Sequence, residues 1–245
     1  MCAAQFLRNP APGEAASGPG AAKTRVRRHH ENFTPTEMLR TPHFYVLYLM
    51  MLMMGIGGLL VTAQLAPLAD SFKVGATALT VALAMNPIAN GVSRVFWGWV
   101  SDHIGRERTM IVAFLIQSAA LLSVPLLGRG SETAFIVCMA LVYFSWGEVY
   151  VLFPSAAADL FGSRNASANY GFLYSTKGVA SIVGGGLAAL LFEKTGSWDV
   201  VFYGGAVLAL CSSLMAIGLI KMPLPRKVQA GELAAAEGRG LSASG

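Results

Sequence analysis

The chain has 245 residues, of which 54% are hydrophobic and only 13% are charged. Soluble domains carry about 25% charged residues, so the composition argues against a soluble domain and predicts an integral membrane protein. The formal net charge of +5 lies mostly in tails and connections, where it suits an anionic lipid leaflet, and we expect no nucleic acid partner. The three cysteines (Cys2, Cys138 and Cys211) form neither a disulfide framework nor a metal-ligand pattern, so we expect no metal and no cofactor.

Three regions follow one another along the chain. Residues 1–42 are rich in Ala, Gly, Pro and basic residues and are predicted to be a disordered basic cytoplasmic segment. Thr41 and Pro42 then provide a helix cap and a first-turn proline. The predicted fold class is all-α, a polytopic membrane bundle of six transmembrane helices over residues 43–222, followed by a disordered cytoplasmic tail over 223–245. Each apolar run reaches the roughly 20 residues that a span requires; the six are His43–Ala69, Thr77–Val100, Thr109–Leu127, Thr133–Ala157, Ala166–Phe192 and Trp198–Ile220.

Lysine and arginine are distributed unequally between the two sets of connections. Thirteen lie in the N-terminal segment, the second-to-third connection, the fourth-to-fifth connection and the C-terminal tail. The other side carries only Lys73, Arg129 and Lys194. Because cytoplasmic loops are the positively charged ones, we expect a multi-pass protein with both termini in the cytoplasm, located in the cell or inner membrane.

The fifth predicted span places a lysine near its middle. Tyr170, Tyr174, Lys177 and Ser181 recur at i−7, i−3, i and i+4, so one helical face carries two phenols, a cation and a hydroxyl. A cation in hydrocarbon costs about 2.5–3.5 kcal/mol on insertion scales and is rarely kept without a role. We predict that this face meets a solute. The alternative is a lysine that reaches the interface from a helix end, but about ten residues of helix on either side of Lys177 place it too deep for that.

The second predicted span carries a polar stripe. Asn86, Asn90, Arg94 and Trp97 recur at i, i+4, i+8 and i+11. A guanidinium binds a carboxylate through two parallel hydrogen bonds, and a lysine ammonium supplies a second point charge. Two such cations across a cavity suit an anion with two carboxylates. The alternative is that Arg94 pairs with Glu148 or with backbone carbonyls.

The fourth predicted span carries aromatic rings and one acid. Tyr143, Trp146 and Tyr150 recur at i, i+3 and i+7 and either wall an anion site or simply pack. Glu148 is two residues from both Trp146 and Tyr150, about 200° round the helix, and should face elsewhere. It is either a packing group held neutral by burial or a proton-coupling group.

The connection between the second and third spans carries a recognisable motif. It reads Gly98-Trp99-Val100-Ser101-Asp102-His103-Ile104-Gly105-Arg106-Glu107-Arg108 and resembles the G-x-x-x-D-x-x-G-R-x-R signature of the major facilitator superfamily. The resemblance implies that Asp102 caps and charges a helix end. It also implies that Gly98 and Gly105 permit close helix approach beside Arg106.

Within that superfamily the chain resembles the C-terminal six-helix half of the oxalate–formate antiporters. The more specific stretches are residues 146–150, 153–155, 159–162 and 171–178. The resemblance implies that Arg94 and Lys177 bind a dicarboxylate between aromatic residues, with Trp146 and Tyr150 at the aromatic positions. It implies exchange of small carboxylates by alternating access, and the tyrosine stripe adds Tyr174 to this expected site.

A complete member of that family has about twelve spans. The chain is therefore expected to be one half of such a transporter or a truncated form. It is expected to need a second six-helix half, either the missing N-terminal half or a homodimer partner. Its other expected partners are the lipid bilayer and a small carboxylate anion. A proton-coupled monocarboxylate transporter using Glu148 and a non-transporting membrane scaffold or receptor remain alternatives. An enzyme is not expected, because no histidine lies inside a span and no serine has an evident base.

Overall fold

The computed structural model describes residues 31–226. Within that range the regular secondary structure is all α-helix, without a strand, as predicted from the sequence. Thr41 caps the first long helix by accepting a hydrogen bond from the Phe44 amide, with Pro42 in the first turn. The helices are α1 (Pro35–Leu39), α2 (Pro42–Ala63), α3 (Leu65–Ser71), α4 (Ala76–Ile104), α5 (Arg106–Leu127), α6 (Glu132–Trp146), α7 (Val149–Phe161), α8 (Ala166–Tyr174), α9 (Thr176–Thr195) and α10 (Asp199–Lys221).

Five helical segments of the described chain are long and apolar enough to cross a membrane. They are α2, α5, the α6–α7 segment, the α8–α9 segment and α10. The remaining predicted span, the second in chain order, corresponds to α4, which has 29 residues and is thus roughly 43 Å long at 1.5 Å per residue. It is not among the five, because Asn86, Asn90 and Arg94 interrupt its apolar sequence.

Three of the predicted continuous spans contain a local break. The helix is interrupted at Gln64 between α2 and α3, at Gly147 and Glu148 between α6 and α7, and at Ser175 between α8 and α9. The amide of Gly147 still donates to the Tyr143 carbonyl at 3.2 Å, so the direction of the segment is kept. Glycine is a weak helix former, and here it also lies directly against α4. The apolar periodicity could not reveal such breaks because it continues through them.

The helices pack in a ring that is open on one side. Helix α2 packs against α9 and α10, α5 packs against α10, α6 and α4, and α4 packs against α6. Small residues bring α2 and α9 together: a Cβ added at Gly55 would lie 3.0 Å from the Ala180 Cβ. Helices α4 and α9 flank the open side and face each other across a cleft.

Both described ends of the chain lie at the same end of the bundle. The His43 Nε2–H group donates to the Pro223 carbonyl oxygen at 2.7 Å. Residues 31–42, predicted to be disordered, are instead packed: Phe33 is fully buried, and its amide donates to the Phe161 carbonyl at 2.8 Å. The remainder of the predicted disordered segment, residues 1–30, and residues 227–245 of the predicted tail lie outside the described residues.

Local hydrogen bonds explain why residues 31–42 are ordered. The Asn165 and Asn169 side-chain amides donate to the Phe33 carbonyl at 2.9 and 3.1 Å. Thr34 and Glu37 form a reciprocal capping box at the start of α1. These contacts connect the segment to the junction of α7 and α8, so the packed domain begins before residue 43.

Candidate functional site

A cleft of about 610 Å³ lies between α4 and α9, with the α6–α7 segment behind it. All five residues expected at the anion site line it, although they come from three separate segments. The remaining lining residues are contributed by one stretch of α4. The expected residues are Arg94, Trp146, Tyr150, Tyr174 and Lys177, and the α4 residues are Asn86, Pro87, Asn90 and Gly91.

Tyr150 is the central residue of the cleft. The Arg94 Cζ atom lies 4.6 Å from the centroid of its ring, and the Lys177 Nζ atom lies 5.1 Å from the same centroid. An aromatic face attracts a cation at such distances. Lys177 Nζ also donates a hydrogen bond to the Tyr174 hydroxyl oxygen at 3.2 Å. Two cations from helices that are far apart in sequence therefore meet at one ring.

Trp146 forms a wall beside that ring. Its indole packs edge-on against Tyr150, with the centroids 5.6 Å apart, and it is only 6% exposed. The space it occupies depends on Gly58 of α2, where an added Cβ would lie 2.1 Å from the Trp146 Cε2 atom. The glycine thus fixes how deeply the indole sits between α2 and the cleft.

The two cations of the cleft have no acidic partner in the described part of the chain. Within residues 31–226, no carboxylate lies within ion-pair distance of Arg94 or Lys177. The alternative pairing of Arg94 with Glu148 is therefore absent from the described part of the chain. Glu148 is fully buried at the break between α6 and α7, does not line the cleft and has no side-chain hydrogen-bond partner there. The cleft thus presents two positive charges that no neighbouring acid compensates.

Other members of the predicted stripes lie outside the cleft. Trp97 is 2% exposed and donates its indole N–H to the Phe144 carbonyl at 3.2 Å, and Tyr143 is 1% exposed. Tyr170 packs against Tyr174 with ring centroids 5.5 Å apart. Ser181 is exposed and does not line the cleft, although it follows Lys177 by one helical turn on α9.

The Gly98–Arg108 motif forms the turn between α4 and α5. Gly105 has a φ of +93°, a conformation that favours glycine, and it directly precedes α5. Asp102 does not cap α5, contrary to the expectation; its carboxylate accepts a hydrogen bond from Arg106 at 2.8 Å. Arg106 also contacts Ser101 and pairs with Asp159 of α7 at 3.2 Å. Through the ion pairs of Arg106 with Asp102 and Asp159, the motif therefore connects α4, α5 and α7.

At Gly98, helices α4 and α7 are in contact, but a side chain there would still meet its neighbour at an ordinary van der Waals distance. A Cβ added there would lie 3.5 Å from the Val151 Cγ1 atom of α7.

A second cavity, of about 520 Å³, lies at the end of the bundle where residues 40–43 meet 223–226. None of the residues expected at the anion site lines it, so the cleft is the better candidate site. The described residues contain no cluster of three or more His, Cys, Asp or Glu residues that could hold a metal ion.

The described fold is that of a multi-pass integral membrane protein with a cationic cleft. Residues 17–243 match the family model of the Major Facilitator Superfamily, and the chain belongs to that superfamily. This confirms the superfamily that the Gly98–Arg108 motif indicated. The matched family consists of transporters rather than enzymes, in agreement with the sequence-based prediction.

Individual relatives show which transporters of the superfamily the chain resembles. The chain is 38% identical over 209 residues to the oxalate:formate antiporter of Oxalobacter formigenes, covering 85% of this chain and 49% of that protein. It is 31% identical over 140 residues to monocarboxylate transporter 10 of Danio rerio, covering 52% and 27%. An uncharacterized MFS-type transporter of Escherichia coli is 31% identical over 156 residues, covering 62% and 38%. The resemblance to oxalate–formate antiporters is thus confirmed, and the chain spans about half the length of that relative and less of the other two.

Two residues that shape the cleft were not predicted as site residues. The Asn90 side-chain oxygen accepts hydrogen bonds from Arg94 Nε at 3.1 Å and from Arg94 Nη2 at 2.9 Å. The spacing of four residues between them was the available signal. Gly147 allows α4 to approach the α6–α7 break, since an added Cβ would lie 3.0 Å from the Asn90 carbonyl oxygen. Nothing in the sequence distinguished this glycine from others.

Proposed function

We propose that this chain supplies the anion-binding half of a secondary transporter that exchanges small carboxylates, of the oxalate and formate type, by alternating access. Arg94 and Lys177 would bind the carboxylate groups, while Trp146, Tyr150 and Tyr174 would exclude water and so strengthen the attraction between opposite charges. The observation that carries the proposal is that both cations lie within about 5 Å of one Tyr150 ring, without an acidic partner in the described chain.

The proposal includes a second half. The cleft opens on the side of the bundle between α4 and α9, and Arg94 is exposed there. In a lone six-helix unit this side would face lipid, where a cation is costly. We infer that α4 is the sixth span, since a partner covering its polar stripe removes the need for a fully apolar sequence. The partner is a further six-helix half or a second copy in parallel orientation, because the pseudo-twofold axis of such transporters runs along the membrane normal.

The orientation of the chain belongs to the same proposal. Arg40, Arg106, Arg164 and Arg226 lie at the bundle end that carries both described chain ends. The opposite end carries Lys73, Arg129 and Lys194, the only basic residues of the other connections. The positive-inside rule then favours cytoplasmic termini in the cell or inner membrane.

Two substitutions in a complete two-half assembly test the binding roles. Lys177→Gln and Arg94→Gln should each abolish exchange of labelled oxalate against formate in proteoliposomes, because a neutral amide cannot replace the charge. The amounts inserted into the membrane should not change. Lys194→Gln and Arg164→Gln remove the same charges from exposed sites remote from the cleft and serve as matched controls. Exchange that persists in both cleft variants would show that the assigned roles are wrong.

A second candidate is proton-coupled uptake of monocarboxylates. It is favoured by Glu148, a fully buried carboxyl group without a side-chain partner among the described residues. Here uptake should follow an imposed pH gradient, and Glu148→Gln should remove that dependence. If exchange is independent of the gradient and survives Glu148→Gln, the residue is a packing group. Proteoliposomes that neither bind nor move any carboxylate would instead favour a scaffold or receptor.

A further inference from the structure

We propose that Asn90 is a positioning residue that fixes which edge of the Arg94 guanidinium faces the substrate carboxylate; this inference rests on the proposed function. Asn90 lies one helical turn before Arg94 on α4. Its Oδ1 atom accepts from both Nε and Nη2, at 3.1 and 2.9 Å. The guanidinium is thus held along one edge by a neutral acceptor.

The geometry of a guanidinium shows what this contact leaves free. The group has five N–H donors in one plane, and a carboxylate is bound best by two parallel donors along one edge. With the Nε–Nη2 edge held by Asn90, the edge formed by Nη1 and Nη2 stays available. The Tyr150 ring lies 4.6 Å from Arg94 Cζ and also limits where the group can move. A carboxylate in the cleft is therefore directed to one edge.

Asn90 is itself held firmly. Its side chain belongs to a residue that is 7% exposed, so it has little freedom to follow a moving arginine. Its backbone carbonyl accepts a hydrogen bond from the Ser93 hydroxyl at 2.8 Å. The same carbonyl faces Gly147, where an added Cβ would approach to 3.0 Å. The orientation of Arg94 thus depends on the contact between α4 and the α6–α7 break.

A neutral acceptor orients the arginine without neutralising it. An aspartate at the same position would accept the same two hydrogen bonds, but it would place a negative charge next to the guanidinium. An alanine would remove the hydrogen bonds and leave the positive charge. The two substitutions therefore separate orientation from charge, and a merely structural residue would not produce the ranking expected below.

The test uses the complete two-half assembly with oxalate as the probe. Asn90→Ala should weaken oxalate binding about tenfold or more, since hydrogen bonds to a charged group are among the stronger ones, while exchange at saturating oxalate falls less. In Asn90→Asp the new carboxylate pairs with Arg94 and competes with the substrate, so oxalate affinity should fall by at least a further tenfold. The same ion pair should keep the melting temperature no lower than that of Asn90→Ala. Thr80→Ala, on the same helix and about 15 Å along its axis at 1.5 Å per residue, is the matched control and should bind as the parent does.

The outcomes separate the two proposals. If the parent assembly binds oxalate and Asn90→Asp binds it as well as the parent does, Arg94 does not need a neutral acceptor beside it; the inference is then wrong and the proposed function stands. If Asn90→Ala leaves affinity unchanged, the role is likewise wrong. If the parent assembly binds no carboxylate while it inserts and melts normally, the proposed function fails and this inference fails with it.

Discussion

The glycine pair on α2 offers a direct test of how the Trp146 wall is positioned. In Gly58→Ala the new Cβ would lie 2.1 Å from Trp146 Cε2 and 2.2 Å from Nε1. Carbon atoms pack best at about 3.5–4.0 Å, so the indole or the helix must move by roughly 1.5 Å. In Gly57→Ala the new Cβ would lie 3.6 Å from Leu121 Cδ1, which is an ordinary contact. Adjacent substitutions of the same kind therefore differ only in their neighbours.

The magnitude follows from that comparison. Both variants gain the helix propensity of alanine over glycine, about 0.8–1.0 kcal/mol, so this term cancels between them. Overpacking a buried site costs about 1–3 kcal/mol, and we expect Gly58→Ala to be less stable than Gly57→Ala by that amount. Because Trp146 lines the cleft, Gly58→Ala should also weaken carboxylate binding, whereas Gly57→Ala should not.

Thermal unfolding of the two purified variants in one detergent, followed by near-ultraviolet circular dichroism, measures the stability difference and reports the displaced indole. Oxalate titration of the complete assembly measures the effect on binding. Equal melting temperatures together with equal oxalate affinities would refute the idea that Gly58 sets the position of the Trp146 wall.

Two further predictions concern the bundle end that carries the chain termini. Both Asp102 and Asp159 pair with Arg106, but the Asp159 side chain is 14% exposed and the Asp102 side chain is 61% exposed. Asp159→Asn should therefore lower the free energy of unfolding by about 1–2 kcal/mol, and Asp102→Asn by less than about 1 kcal/mol. Chemical denaturation measures both values, and the reverse order would contradict the described burial. Phe33→Ala should lower the free energy of unfolding by about 3–5 kcal/mol, because this fully buried ring packs against Phe161 with the ring centroids 5.8 Å apart. If residues 31–42 of the variant resist protease as well as those of the parent, the segment is not packed as described.

Much of the architecture could be predicted from the sequence because hydrocarbon imposes a simple requirement on spans. Length and apolar composition predicted the five helical segments that are long and apolar enough to cross a membrane. The rarity of charged side chains inside apolar runs pointed to Arg94 and Lys177. Their convergence on Tyr150 could not be predicted, since it depends on how three separate segments pack. The resemblance to known antiporters, rather than spacing, linked these residues in one expected site.

The failures have physical reasons as well. Ser181 and Trp97 have the right helical spacing, yet neither lines the cleft: Trp97 packs against Phe144, and Ser181 lies one helical turn beyond Lys177. The composition of residues 1–42 suggested disorder, but in residues 31–42 the Phe33 ring is buried and the Phe33 carbonyl accepts hydrogen bonds from two asparagine side chains. Short capping and side-chain contacts of this kind leave almost no mark on average composition.

Under the proposed function, the lack of an acidic partner for Arg94 and Lys177 among the described residues affects the order of events in transport. Enclosing two cations away from water without a counterion carries a desolvation penalty of several kcal/mol per ion, so an empty cleft resists closure. A bound dianion would remove most of that penalty. If the proposed function holds, such a cleft would reorient readily only while an anion is bound, and one anion would enter for each anion that leaves.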